Sequence, residues 1–265
     1  MKAKGPGATA KPLVASAEAK SQHGEKMKFT DMHCHIIYGV DDGARTPEDM
    51  HGMLRLAAEN GIDHIVCTSH ITPGEAEFPA RKYLEHLQEG QRYCDEQGLG
   101  IQMHLGSEIL WTEMTPQMIR DGKVPTLDRS WTVLVEFWWD VDFALMCKAA
   151  RLMGNEGMSV VLAHLERYKP LRTIGNIRTL AEEYGVVMQM NCKTITEKQG
   201  LSGDHWRNKV LEEGLVDLVA SDAHNTGSRA CNMKQCHEVL TSRYGADYAD
   251  RLCGENQHRL FGWKD

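Results

Sequence analysis

The chain has 265 residues, of which 42% are hydrophobic and 25% are charged, the composition of a folded protein with a sizeable apolar core. Its net charge of -7 and pI near 6.0 argue against a nucleic-acid-binding surface, because affinity for the phosphate backbone depends on clustered Lys and Arg. No apolar run approaches the ~20 residues that span a bilayer, so we expect no membrane insertion. The eight cysteines form no CxxC pair, which favours reduced thiols and a cytoplasmic location.

The sequence divides into a leader and one domain. Residues 1–28 are rich in Lys, Ala and Gly, and we interpret them as a flexible N-terminal tail without a signal-peptide core. Residues 29–265 are expected to form a single domain, since barrels of alternating strands and helices routinely reach this length.

Strands are predicted by short β-branched or apolar runs that alternate with longer amphipathic segments, a pattern typical of βα units around a parallel sheet. The seven predicted strands are Phe29–His35, Ile62–Thr68, Ile101–Gly106, Thr132–Phe137, Ser159–His164, Val186–Asn191 and Val216–Ser221. In a barrel of parallel strands the carboxyl ends converge on one face, where side chains distant in sequence can meet.

Helices are predicted from the residues that start and stop them. Thr46 supplies an N-cap and Pro47 a proline at the first helical position, and Gly61 ends that segment. Residues 79–98 and 140–154 have the same character, with a glycine at each exit. The chain after about Arg229 is predicted to be helical to its end.

Ionisable side chains recur at the ends of the predicted strands. His33 and His35 are two residues apart, so both imidazoles of a strand would face the same side and could bind one metal ion. Glu136 lies in an apolar run, where a carboxylate is costly unless a cation or a salt bridge compensates it. Repetition at successive strand ends favours a metal site over incidental histidines. The candidate ligands are His33, His35, Asp42, His70, Glu108, Glu136, His164, Asp222 and His224.

The chemistry of these ligands narrows the function. Nitrogen and oxygen donors without thiolates favour Mn, Fe, Co or Zn over a purely alkaline-earth site, and nine candidates suffice for two or three ions. Such a cluster lowers the pKa of bound water and stabilises the attacking and leaving oxygens of a phosphoryl transfer. Hydrolysis of a phosphoester is therefore the predicted reaction.

The ordered motifs resemble those of the bacterial capsule-locus tyrosine phosphatases of the polymerase-and-histidinol-phosphatase (PHP) superfamily. The resemblance runs from about residue 29 to the C-terminus. It rests on seven segments, Asp31–His35, Asp41–Gly43, Thr68–His70, Gly106–Ile109, Val135–Phe137, Ala163–Tyr168 and Ser221–Asn225.

The resemblance implies an α/β fold, a distorted (β/α)7 barrel similar to a TIM barrel, that holds three divalent ions. Manganese is the expected metal, with Fe, Zn, Co or Mg as alternatives. The implied ligands are His33, His35, Glu108 and Asp222 for the first ion, Glu108, Glu136 and His164 for the second, and Asp42, His70 and His224 for the third. The implied catalytic residues are Arg167, Arg229, Asp222 and His224, the two arginines binding phosphate oxygens.

The implied activity is that of a protein-tyrosine phosphatase, a phosphomonoesterase that attacks phosphotyrosine with a metal-activated hydroxide. Its partner would be a phosphotyrosine protein such as a bacterial tyrosine kinase of a capsule or exopolysaccharide locus, and a homo-oligomer is compatible with the sequence. Two alternatives stay open: another PHP phosphoesterase, acting on histidinol phosphate or a small phosphodiester, and a non-catalytic metal-binding barrel. A cysteine-based phosphatase, which needs a reactive Cys followed by five residues and an Arg, is not expected.

Three segments depart from the family pattern. Residues 71–77 are neutral to acidic where relatives often have basic residues, which puts substrate docking on that loop in question. Ala230 and Cys231 stand where relatives tend to have prolines. Trp138 and Trp139 follow Glu136 and are interpreted either as a stacking surface for a phosphotyrosine ring or as packing over the barrel mouth.

Overall fold

A computed structural model describes residues 28–75 and 77–263 of the chain. The predicted N-terminal tail therefore lies, apart from Lys28, outside the described residues. The strands are β1 (Phe29–Cys34), β2 (Ile62–Cys67), β3 (His70–Ile71), β4 (Gln102–Leu105), β5 (Glu108–Leu110), β6 (Thr132–Glu136), β7 (Ser159–Leu162), β8 (Val187–Asn191) and β9 (Leu218–Ala220). Each of the seven predicted strands is confirmed, with slightly different ends.

The strands form two parallel sheets, with the order β1-β2-β4 in one and β3-β5-β6-β7-β8-β9 in the other. Cys34, at the end of β1, forms a parallel bridge with Ala223, which follows β9. The architecture is an α/β fold whose parallel sheet curls into a half-barrel. The closed (β/α)7 ring that the resemblance implies is not confirmed.

Two sheets arise because the chain changes from one sheet to the other just after two of the predicted strands. The chain leaves the first sheet after β2 and enters the second as β3, and it does the same between β4 and β5. At Gly106, between β4 and β5, an added Cβ would lie 2.8 Å from Val66 Cγ1 and 3.0 Å from the Cys67 carbonyl oxygen. A side chain there would clash, so the close approach of the two crossing segments requires glycine.

The helices are α1 (Pro47–Glu59), α2 (Ala80–Glu96), α3 (Thr115–Arg120), α4 (Phe143–Asn155), α5 (Ile174–Arg178), α6 (Cys192–Thr196), α7 (Gly200–Glu212), α8 (Met233–Tyr244), α9 (Ala246–Asp250) and α10 (Asn256–Phe261). Single π-turns cover residues 179–183 and 251–255. None of the helices in the described ranges is long and apolar enough to cross a membrane.

The predicted helix signals are largely confirmed. Thr46 caps α1 by accepting a hydrogen bond from the Asp49 backbone, and the Asp49 side chain accepts one from Thr46 in return. Helix α4 begins three residues later than the region predicted from residue 140, because Asp142 is its N-cap and accepts from the Leu145 N–H. The helical character predicted after Arg229 is confirmed by α8, α9 and α10.

Two apolar clusters hold the strand ends in place. The larger cluster lies between the sheets and the outer helices and includes Leu54, Val135 and Met188, all essentially buried. The smaller one is built from Met32, Val66, Leu134, Val161 and other residues on one face of the strands, and Trp263 packs against it from the C-terminal segment. All eight cysteines are free thiols, as predicted.

Candidate metal centre

Eight of the nine predicted ligands lie at the carboxyl end of a strand or within a few residues beyond it, as the barrel argument predicts, and Asp42 lies in the loop between β1 and α1. We call this group the mouth centre. His33 is in β1, His70 in β3, Glu108 in β5 and Glu136 in β6, and His164 follows β7. The other members are His35 and Asp42, which follow β1, and Asp222 and His224, which follow β9.

Glu108 occupies the middle of the mouth centre. Its Oε2 atom lies 3.1 Å from His33 Nε2, 3.1 Å from His35 Nε2 and 3.1 Å from His70 Nδ1. Its Oε1 atom lies 2.8 Å from His164 Nε2. The carboxylate is 1% exposed and surrounded by four imidazoles, an arrangement that suits a ligand shared between ions.

Two further carboxylates flank Glu108. Asp222 Oδ1 lies 3.6 Å from the Nε2 atoms of both His33 and His35. Glu136 Oε1 lies 3.0 Å from His70 Nδ1, and its Oε2 lies 3.6 Å from His164 Nε2. Glu136 thus faces two imidazoles, and no Lys or Arg pairs with it among the described residues.

The outer part of the mouth centre is formed by Asp42, His70 and His224. Asp42 Oδ1 lies 3.5 Å from His70 Nε2 and 3.3 Å from His224 Nε2, and the Asp42 side chain is 60% exposed. His224 Nε2 is buried and has no hydrogen-bond partner among the described residues. A buried imidazole nitrogen without such a partner, facing a carboxylate, fits a metal ligand.

The donor set and the side-chain geometry therefore fit divalent metal ions. Ligating atoms of His35, Asp42, His70 and His224 lie within 4.8 Å of one another, and so do those of His70, Glu108 and Glu136. His70 belongs to both groups because its two ring nitrogens face different carboxylates.

A chain of amides orients the inner ligands. Gln189 Oε1 accepts a hydrogen bond of 2.8 Å from the His164 N–H and lies 3.1 Å from His33 Nδ1. Because this oxygen can only accept, His33 carries its proton on Nδ1 and keeps Nε2 free for a metal. The Gln189 amide then donates to Asn191 Oδ1, and Asn191 donates to Asp222 Oδ2, each over 2.8 Å.

Asp41 plays the same role for His35. Its Oδ2 atom lies 2.8 Å from His35 Nδ1 and accepts from the His70 N–H over 3.1 Å, while Oδ1 accepts from the Gly43 N–H over 3.0 Å. Burial raises the pKa of Asp41, but the hydrogen bond and charge of His35 outweigh it and hold the pKa at about 2. Asp41 is part of a family motif in the sequence, but the sequence alone did not predict its role. It also did not predict a role for Gln189 or Asn191. The sequence feature that could have indicated Gln189 and Asn191 is the presence of two amides at alternate positions of an apolar strand.

Two members of the mouth centre, Glu108 and His224, have pKa shifts that favour their metal-binding forms. Burial alone would raise the pKa of Glu108, but the charge of His33 and hydrogen bonds from His164, His33 and His35 hold that pKa well below its usual range. Burial, followed by the nearby charge of His35, lowers the pKa of His224 to about 4. A charged carboxylate and a neutral imidazole are the forms that bind metal ions.

Two candidate ligands stand on strained backbone. His164 has a φ of +34° and Asp222 a φ of +53°, in the left-handed region that side chains rarely adopt. Such a conformation costs on the order of 1–3 kcal/mol and persists where surrounding contacts impose it, often at functional sites. Here the His164 N–H is held by Gln189, and the Asp222 N–H donates to the His33 carbonyl over 2.8 Å.

Comparison with known proteins identifies the family. The family model described as "Capsular polysaccharide synthesis, CpsB/CapC" matches residues 29–262. The chain belongs to the CpsB/CapC family. Among its relatives, the tyrosine-protein phosphatase CpsB of Streptococcus pneumoniae is 29% identical over 238 residues, which cover 87% of this chain and 97% of the relative. The tyrosine-protein phosphatase YwqE of Bacillus subtilis is 24% identical over 217 residues, 82% of this chain and 85% of the relative.

Solved structures agree on the fold. A structure from work on YwqE and CpsB, described there as unique metal-dependent tyrosine phosphatases, superposes with a TM-score of 0.76 at 24% identity, covering 83% of this chain and 89% of the other. Histidinol phosphate phosphatase of Lactococcus lactis, complexed with zinc, L-histidinol and phosphate, gives a TM-score of 0.53 at 15% identity, covering 84% and 94%. Both likenesses concern the fold alone.

In this CpsB/CapC-family chain, both predicted arginines reach the mouth centre. Arg167 forms an ion pair with Asp222 Oδ2, and Arg229 lies 3.0 Å from Asp222 Oδ1 and 3.4 Å from Asp42 Oδ2. Both arginines line a cleft of about 500 Å³ that opens beside Asp222. Lys193 lines the same cleft and donates to the Ser228 carbonyl over 3.2 Å, a third cation that sequence reasoning did not single out.

The tryptophan pair of this family member is on the surface. Trp138 is 64% exposed and Trp139 is 66% exposed, so the structure gives no support to the interpretation that they pack over the mouth. The Lys169 ammonium lies 5.3 Å from the centre of the Trp139 ring. The exposed rings leave the stacking interpretation open.

The structure argues against a cysteine-based phosphatase mechanism because of burial and not because of sequence spacing. We predicted no cysteine-based phosphatase on the ground that no Cys has this spacing to an Arg, and that ground is wrong, because Cys253 and Arg259 are separated by five residues. Cys253 is fully buried in the π-turn of residues 251–255, and Arg259 donates to Asn256 Oδ1 over 3.2 Å. A fully buried sulfur cannot meet a phosphorylated protein, so this pair does not form a phosphatase site.

Proposed function

We propose that this chain is a metal-dependent protein-tyrosine phosphatase and that the mouth centre holds its ions. The observation that carries the proposal is the buried Glu108 carboxylate, whose two oxygens lie 2.8–3.1 Å from four imidazole nitrogens. Such a concentration of ligand atoms beside an arginine-lined cleft suits a phosphomonoester. The names of the relatives CpsB and YwqE supply the substrate class, phosphotyrosine.

We further propose three ions, with Glu108 as the shared ligand, and manganese as the metal. The ligand sets are His33, His35, Glu108 and Asp222; Glu108, Glu136 and His164; and Asp42, His70 and His224. When bound, the ions act as Lewis acids that lower the pKa of water and offset the charge of the phosphoryl group.

The protein groups have separate tasks in this reaction. Arg167 and Arg229 bind the phosphate oxygens, for which a planar guanidinium provides paired donors. Asp222 holds both arginines at the cleft, since it pairs with each of them. His224 keeps the outer ligand group together through its approach to Asp42.

The finer architectural and cellular assignments belong to the same proposal. Residues 29–265 would form one distorted (β/α)7 barrel, which the bridge between Cys34 and Ala223 supports by linking the first and last strands. The substrate would be a cytoplasmic phosphotyrosine protein such as a tyrosine kinase of a capsule locus, in keeping with the family description.

The deciding experiment measures hydrolysis of p-nitrophenyl phosphate and a phosphotyrosine peptide after chelation and after return of Mn. We expect turnover of both substrates to disappear on chelation and to recover with Mn, while circular dichroism shows that the fold is kept. Faster turnover of histidinol phosphate than of the peptide would indicate the other PHP phosphoesterase. Loss of folding on chelation, with no turnover in Mn, would indicate a non-catalytic metal-binding barrel.

A further inference from the structure

A second cluster of histidine and aspartate lies away from the mouth centre. Asp63 and His64 are near the amino end of β2, whereas the mouth ligands lie at the carboxyl ends of the strands. His258 reaches the same place from α10, and ligating atoms of these three residues lie within 4.8 Å of one another. We call Asp63, His64 and His258 the base cluster. No mouth ligand belongs to it.

A relay of hydrogen bonds sets the orientation of His64. His104 Nδ1 lies 3.0 Å from Asp128 Oδ1, and His104 Nε2 lies 2.9 Å from His64 Nδ1. Because a carboxylate only accepts, His104 donates from Nδ1 and its Nε2 must accept from His64. His64 is then protonated on Nδ1, and its Nε2 carries the lone pair that a metal needs. Metal-binding histidines are typically held in this way by a partner on the other ring nitrogen.

The two oxygens of the Asp63 carboxylate have different surroundings. Asp63 Oδ1 is buried and has no hydrogen-bond partner among the described residues, while Oδ2 lies 3.7 Å from the exposed Lys28 ammonium. A buried carboxylate oxygen without a donor is costly unless a cation compensates it.

We propose that Asp63, His64 and His258 bind one zinc ion. Two imidazoles and one carboxylate form a ligand set that suits zinc, with water as a fourth ligand. Tetrahedral zinc places its ligand atoms roughly 3.3 Å apart, given bonds of about 2.0–2.2 Å. The three side chains start within 4.8 Å, so small rotations close the site. The ion would join α10 to β2.

Trp263 provides a local reporter of this site. Its ring centre lies 4.7 Å from that of His64 and 4.2 Å from that of His104, so an ion bound to His64 would alter its fluorescence. This signal is independent of phosphatase turnover. It also separates the base cluster from the mouth centre, since neither His64 nor His104 belongs to the mouth centre.

The test compares the full chain with His258→Ala, Asp63→Asn and the control His237→Ala. His237 is a good match because it lies in the same C-terminal helical region and pairs with Asp250 over 2.7 Å, outside the candidate metal groups. Each protein is equilibrated with zinc, desalted and analysed for zinc per chain by mass spectrometry. Zinc-induced fluorescence change is measured in parallel, with Trp263→Phe to assign the signal.

We expect His258→Ala and Asp63→Asn each to hold about one zinc fewer per chain than the wild type and to lose the Trp263 signal. His237→Ala should match the wild type, and all three variants should keep phosphatase turnover with Mn. Asp63→Asn preserves side-chain size, so it decides the matter if His258→Ala does not fold. Equal zinc content in the wild type and Asp63→Asn, with the Trp263 signal unchanged, would overturn the proposal.

Discussion

The two ends of the strands carry clusters of similar composition that differ in connectivity. At the mouth centre Glu108 is shared by four imidazoles, and two ligands stand on left-handed backbone beside a cleft lined by arginines. At the base cluster Asp63 meets two imidazoles, and Trp263 stacks on the rings of His64 and His104. A shared carboxylate with an open cleft suits catalysis, whereas separate ligands under an aromatic ring suit a structural ion.

Removal of a mouth ligand is expected to have the largest effect. His35→Ala or Asp222→Ala should lower turnover by about three orders of magnitude or more, because the ligands of a catalytic centre act as a unit. The comparison with the base cluster is made by assaying His258→Ala under the same conditions. A similar loss of turnover in His258→Ala would break the distinction between the two clusters.

Arg167→Ala should cost on the order of 100-fold in kcat/KM if the guanidinium stabilises charge in the transition state. The measurement is steady-state kinetics on a phosphotyrosine peptide at saturating Mn. Arg172→Ala is the matched control, since Arg172 is exposed and bonds the Glu166 carbonyl. Wild-type rates for the Arg167 variant would remove this residue from the mechanism.

Gln189→Leu should weaken metal binding by roughly 10- to 100-fold, because it removes the acceptor that orients His33 and holds the His164 N–H. The Mn concentration for half-maximal turnover reports this change. Gln189→Glu retains an acceptor oxygen and should be less impaired. If both variants needed no more Mn than the wild type, the amide chain would have no part in metal binding.

Trp139→Ala is expected to have the smallest effect. Loss of one stacking contact, about 1 kcal/mol, should raise KM for a phosphotyrosine peptide by roughly five-fold and leave kcat unchanged. The exposed Trp131, at the other end of β6, is the control for general surface effects. An unchanged KM would show that the ring does not contact the substrate.

The sequence predicts which side chains meet at the mouth centre, because the candidate ligands are ionisable residues placed where apolar strands end. Glu136, for example, stands out in Thr132–Phe137, and the structure brings it to His70 and His164. Gln189 and Asn191 give a weaker signal because amides carry no charge. The base cluster escaped prediction because His258 is distant in sequence from His64 and lies in a helix without a metal-binding spacing.

The sequence does not predict the two short strands β3 and β5. Their positions depend on side-chain volume and not on polarity. Apolar patterning predicts one strand through Ile101–Gly106, and it cannot show that a new strand begins at Glu108 in a different sheet. That change depends on the contact of Gly106 with Val66 and Cys67, which are distant along the chain.

At Gly106 the chain passes from the three-stranded sheet to the six-stranded sheet. His70 and Glu108 belong to the six-stranded sheet, whereas the strands that precede them, β2 and β4, belong to the three-stranded sheet. The hydrogen-bonded ladder is therefore interrupted between these residues and the strands before them. No continuous strand therefore carries a shift of His70 or Glu108 to β2 or β4. We therefore expect His70 and Glu108 to adjust to ions of different radius with little displacement of β2 and β4.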